Sequence, residues 1–143
     1  MSHLHDTITS ISTFFNISAQ PELFLFPEWI TIDRGRRGVY VITDRPADAD
    51  GVEYVYVGKG YFRARQKSHW VKANDIVPVG HIDPKGWKWL RANTEMAVAN
   101  WHLYVIDLHS ETALSAMEGG LIHLLQPLAN DETFTDRKNL LTQ

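Results

Sequence analysis

At 143 residues and 16.4 kDa the chain fits one domain and leaves no room for a second of full size. Its 44% hydrophobic and 22% charged residues exclude disordered, collagen-like and coiled-coil classes, no apolar run nears the ~20 residues of a membrane span, and the absence of cysteine excludes disulfides, iron–sulfur clusters, thiolate metal sites and cysteine nucleophiles. The net charge of −3 hides an asymmetry: residues 34–91 hold 12 basic against 6 acidic side chains, +6, and the rest hold 2 against 11, −9. The opening MSHLHDTITS lacks the basic and apolar blocks of a signal peptide, so the expected location is the cytoplasm.

In chain order, Leu4, Ile8, Ile11 and Phe14 or Phe15 recur near every 3.6 residues and predict an amphipathic helix ending before Pro21. Residues 22–32, with LFLFPEWI, are apolar but broken by Pro27, which suits an extended packing segment or an edge strand. GVYVIT at 38–43 and EYVYVG at 53–58 are β-branched and aromatic, separated by the turn formers DRPADADGV, and predict a hairpin. Alternation sets Tyr40 with Ile42, and Tyr54 with Tyr56, so a suitable register brings Tyr40 and Tyr56 onto one surface.

Residues from Phe62 to about Ala73 suit a helix on which Arg65 and His69, four apart, share a face with Phe62. The next twenty or so residues read as a loop with a short helical turn at Trp87–Trp89. WHLYVIDL at 101–108 predicts a third strand. Ser110 is a natural N-cap for a helix that runs to about Gln126 and stops at Pro127, followed by a polar tail with at most a brief helix. These elements give an α+β fold: a small three-stranded, mainly antiparallel sheet flanked by helices.

Taken in order, GVY at Gly38–Tyr40, YVG at Tyr56–Gly58, Arg65 with His69, and the helix MEGGLIHLLQPLAND resemble the GIY-YIG nuclease domain. The last segment resembles the family pattern of a glutamate, Glu118, followed by Leu121, Ile122, Pro127 and Asn130. The resemblance covers residues 35–131, leaving 1–34 as an N-terminal helical and extended segment and 132–143 as a tail. Valine stands where the family has isoleucine in both signatures, and the linker before the third strand is long.

The resemblance implies a metal-dependent endonuclease that cuts a phosphodiester by direct attack of water, leaving a 5′-phosphate and a 3′-hydroxyl. Such hydrolysis needs a base, positive charge on the phosphate oxygens and help for the departing oxygen. Glu118 sits among Leu114, Leu121 and Ile122 at helical spacing, where a bare carboxylate is costly and a divalent ion offsets the cost. One carboxylate completed by waters and phosphate suits Mg²⁺ or Mn²⁺ better than zinc. Arg65 would grip the phosphate through its planar fork. Tyr40 and Tyr56 would line the site, either one activating or positioning water, with Lys59 or Arg65 needed to favour an ionised phenol. His69 would orient a phosphate or a tyrosine hydroxyl, and Asn130 would brace the site or its backbone rather than touch substrate.

Arg36, Arg37, Arg63, Lys67 and Lys72 form the expected nucleic-acid face, with DNA favoured over RNA. One glutamate per chain implies one cut per encounter, from a monomer or a homodimer. Each residue also has a plainer use: the basic residues as a solvated face, the tyrosines and His69 as hydrogen-bonded core, and Trp70, Trp87 and Trp89 as core rather than base-stacking platforms. Two rival functions follow, a nucleic-acid-binding module without turnover and a protein-interaction domain using the acidic ends.

Overall fold

The computed structural model describes residues 2–74 and 87–130. At its centre is the expected hairpin: strands Arg37–Thr43 and Tyr54–Tyr61 pair antiparallel, with Tyr40 opposite Gly58, Val41 opposite Val57 and Ile42 opposite Tyr56. They are here β2 and β3, because Pro21–Leu25 forms a strand β1 ahead of them, and His102–Asp107 forms β4. β4 pairs antiparallel with β2, setting Val105 against Tyr40, and β1 pairs antiparallel with β4. The sheet therefore has four strands in the order β1-β4-β2-β3, one more than the three expected.

The extra strand has a simple cause. Pro27 lies beyond it, in the 3₁₀ turn Phe26–Thr31, and Pro21 occupies the first position of an edge strand, where a missing N–H costs least. The Glu28 carboxylate accepts from the Leu25 N–H at 2.6 Å and turns the chain out of the strand. Arg36 ties β1 into the sheet, its guanidinium donating to Glu22 and to Asp107, each at 2.7 Å.

The hairpin departs from simple alternation at one place. A bulge shifts the register between Ile42 and Thr43, so Thr43 faces Tyr54 rather than Val55. The expectation that Tyr54 shares a face with Tyr56 is therefore corrected. Tyr54 packs on the opposite side, its ring edge-on to His3 at 6.3 Å, while Tyr56 stays with Tyr40.

Helices cover both faces. On one, α1 (His3–Phe15) buries Leu4, Ile8 and Ile11, capped by Ser2, whose hydroxyl accepts from the His5 N–H. It packs beside Glu111–Leu125, the last helix, which buries Leu114, Met117, Leu121 and Leu125 against Val39, Val41 and Val57. On the other face lie the 3₁₀ turn, α2 (Phe62–Ala73) and α3 (Trp87–Asn93), around Tyr40, Tyr56, Phe62, Trp87 and Trp101. The last helix, α4, starts on Ser110, whose hydroxyl accepts from Ala113, and ends at a left-handed Gln126 before Pro127. A Cβ on Gly120 would stand 2.8 Å from Ile11 Cδ1, so this glycine lets α4 approach α1.

Among the described residues no helix is long and apolar enough to cross a membrane. The polar tail from 131 onward, and the central part of the predicted loop, lie outside the described residues.

Candidate active site

Four elements converge on Tyr40. It sits in mid-β2, fully buried, and Tyr56 on β3 is its diagonal neighbour, with ring centroids 6.0 Å apart. Directly across from Tyr40 is Gly58, where any side chain would push the tyrosines out of place. A Cβ there would meet the Tyr40 hydroxyl, lie 2.6 Å from Tyr40 Cζ and 2.9 Å from Tyr56 Cε2. The glycine of the second signature thus makes room for the tyrosine of the first. Gly38 is constrained in the same way, because a Cβ on it would run into the Ile106 carbonyl of β4.

Chain leaving β3 enters α2 directly, and Phe62 at its start meets Tyr40 edge-on at 6.5 Å. One turn on, Arg65 remains exposed, and a second turn brings His69, 3% exposed, under the sheet. The Tyr40 hydroxyl and His69 Nε2 are 2.8 Å apart, a hydrogen bond in which the phenol donates when His69 carries its proton on Nδ1. The His69 ring is held between Tyr56 and Trp87, with both centroids at 4.9 Å.

Burial pushes the Tyr40 phenol well above its ordinary value near 10, and Tyr56 and Glu118 push the same way. A hydrogen bond from Arg65, with its positive charge, pulls in the opposite sense without prevailing. Arg65 thus acts on Tyr40 in the expected sense, but burial outweighs the cation and the Tyr40 phenol holds its proton above the ordinary range. Arg65 in turn is held more firmly protonated by its bonds to the Tyr40 and Tyr56 oxygens.

Glu118 is half-buried on α4, and its charge is felt at the Tyr40 oxygen. Asn130 does not face outward. Its side chain brackets one residue of β3, accepting from the Val57 N–H and donating to the Val57 carbonyl, both at 2.6 Å. Leu128 and Ala129 donate to the carbonyls of Tyr54 and Val55, so residues 128–130 run along the outer edge of β3. Lys59 reaches away from the tyrosines to the Ser115 hydroxyl on α4, at 3.2 Å.

The basic residues divide into two groups. Arg36 pairs with Glu22 and Asp107, and lies over the rings of Phe24 and Phe62. Arg37 pairs with Glu111 at 2.6 Å. Both hold the fold. Arg63 and Lys67 on α2 project from the helix, with Lys72 near its end partly covered, and among the described residues none of them joins an ion pair.

Trp87 is the neighbour that periodicity did not single out for this site. It is fully buried against His69 and Tyr56, and Trp70 packs on Phe26 at 5.3 Å, so neither is placed to stack on a base. The Trp89 side chain lies outside the described residues. No cluster of three metal-ligating side chains occurs among the described residues. A lone carboxylate beside phenol oxygens still fits Mg²⁺, which keeps most of its waters and takes the rest of its shell from phosphate.

Comparison of the chain with protein-family models, with curated proteins and with solved structures finds no match.

Proposed function

We propose that the chain is a metal-dependent endonuclease of the GIY-YIG type, cutting DNA phosphodiesters by water attack to leave a 5′-phosphate and a 3′-hydroxyl. One observation carries the proposal: Tyr40, Tyr56, Arg65, His69 and Glu118, scattered over 79 positions of sequence, come together around one buried phenol. Acting on one fully buried phenol are a buried imidazole, a half-buried carboxylate and an exposed guanidinium, a mixture of ionisable groups more in keeping with a site than with a plain core.

In this proposal the exposed guanidinium of Arg65 binds the non-bridging phosphate oxygens and stabilises their added charge as the water approaches. Tyr40, neutral, hydrogen-bonds the attacking water. As that water loses its proton to the phenol oxygen, the phenol's own proton passes to His69 Nε2, so no free phenolate has to form. Tyr56 holds the second side of the water and, with Trp87, keeps the His69 ring in line. Glu118 would hold a Mg²⁺ or Mn²⁺ ion, which supplies positive charge for the departing oxygen.

The test is to incubate the purified chain with supercoiled plasmid, linear duplex, single-stranded DNA and RNA, in Mg²⁺, Mn²⁺ or EDTA. One Glu118 per chain gives nicked circles before linear product, and only with metal. Binding without cleavage in every metal overturns the enzyme and leaves a nucleic-acid-binding module.

A further inference from the structure

Beside the site, between the 3₁₀ turn Phe26–Thr31 and the start of α2, lies a groove of about 580 Å³ that no step above uses. Trp29, Ile30 and Tyr61 give it an apolar and aromatic wall, and Arg34, Arg63 and Lys67 supply three cations. Among the described residues no carboxylate lines it. Ile30 is 56% and Tyr61 51% exposed, an arrangement that water does not favour and a ligand would cover. Unlike Arg36 and Arg37, its three cations join no ion pair among the described residues.

We propose that this groove receives an unpaired stretch of DNA strand, so that the preferred substrate is a junction between duplex and single strand. The cations select a polyanion, and the aromatic wall selects a flat π-face. Duplex DNA buries its base faces in the stack, whereas an unpaired nucleotide offers both phosphate and base. The position suits a strand already engaged at the catalytic tyrosines. Tyr61 follows Gly58 by three residues of β3, about 10 Å at strand rise, or about three base steps. Between them Gly60 lies against Arg65, where a Cβ would stand 3.2 Å from Cγ. Tyr61 is also held in place, with the Arg37 guanidinium 5.8 Å from its ring centroid.

The proposal rests on the nuclease function, and its test separates the two. Fluorescence anisotropy in EDTA measures binding of the full chain to a short blunt duplex and to the same duplex with an unpaired thymidine tail at either end. One tail tightens binding about tenfold, in the range of base–aromatic stacking. Changing Trp29 and Tyr61 together to alanine removes that gain and leaves blunt-duplex affinity within about twofold. Trp29→Phe keeps most of the gain, and Arg34→Glu, at an exposed position that no fold contact needs, lowers it several-fold. Circular dichroism confirms that each variant is folded. Equal affinity for tailed and blunt DNA overturns the proposal, as does a gain that survives the double change. So does tighter binding of a ribonucleotide tail, or a dimer of the free chain that the double change dissolves. Metal-dependent nicking with no tail preference removes the groove alone. A tail preference that needs Trp29 and Tyr61, without nicking, removes the nuclease and leaves the groove its ligand.

Discussion

Gly58→Ala is the sharpest perturbation of the proposed chemistry, because the new methyl is aimed first at the Tyr40 phenol and next at the Tyr56 ring. Its Cβ would start 2.6 Å from Tyr40 Cζ, so the ring must retreat about 0.8 Å to reach the 3.4 Å of ordinary contact. Tyr40 is fully buried, with Phe62 on one side and the His69 bond on another, so a shift of its ring disturbs both contacts. Overpacking of this kind costs ~1–3 kcal/mol, which leaves a domain of ordinary stability more than about 95% folded. The chemistry suffers more, since a displacement near 1 Å costs ~10²-fold in rate. Single-turnover nicking of plasmid, read beside a thermal melt, separates the two effects. The control is Gly119→Ala, where nothing stands within 4 Å: it gains up to ~1 kcal/mol of helix propensity and nicks at the parent rate. A Gly58→Ala chain that melts and nicks like the parent would refute both the packing around Tyr40 and its role.

Glu118→Ala abolishes metal-dependent nicking, by ~10²-fold or more, and leaves DNA affinity within a few-fold, whereas Arg65→Ala lowers both; filter binding and nicking on the same preparations decide. Because the folded Tyr40 phenol holds its proton above the ordinary value near 10 while the unfolded chain releases it, stability falls as pH rises past about 10. Urea midpoints from pH 8 to 11 show the fall, and Tyr40→Phe flattens part of it, with Tyr54 and Tyr104, also raised by burial, retaining the rest. Asn130→Ala strips the Val57 N–H and carbonyl of their partners at the edge of β3 and costs ~1–3 kcal/mol by urea denaturation. Lys67→Glu combined with Lys72→Glu weakens binding across DNA sequences and flattens the dependence of log Kd on log salt by about 1 to 2.

Helices α1 and α4 were legible from apolar residues at helical spacing, with Ser110 as a cap and Pro127 as a stop for α4, whereas the Ser2 cap of α1 shows only in the structure. The hairpin was legible for the same local reason. Strand β1 was obscured by Pro27, which reads as a break inside an apolar run although it stands one turn beyond the strand. The bulge at Thr43 is invisible in the pattern, because Tyr54, Val55 and Tyr56 are all strand formers and nothing local says which one is skipped. Arg36 and Arg37 look like their neighbours in a basic cluster. Their partners Glu22, Asp107 and Glu111 are distant in sequence, and only the topology of β1, β4 and α4 brings them close. Trp87 falls in the same category: it reaches His69 only through the fold.

Asn130 and Lys59 fasten α4 to β3 on either side of Glu118, one after the helix and one before it through Ser115, while Ile11 presses on Gly120 from behind. The carboxylate and the tyrosines therefore cannot draw apart without breaking β3 from the segment at 128–130. In the proposed nuclease these contacts between α4 and β3 hold the carboxylate and the tyrosines together before any substrate arrives. For that proposed enzyme, discrimination then falls to the DNA itself. A strand enters such a rigid centre only as far as it bends or unpairs, so the cost of deforming the substrate, rather than a movement of the protein, sets which phosphates are reached.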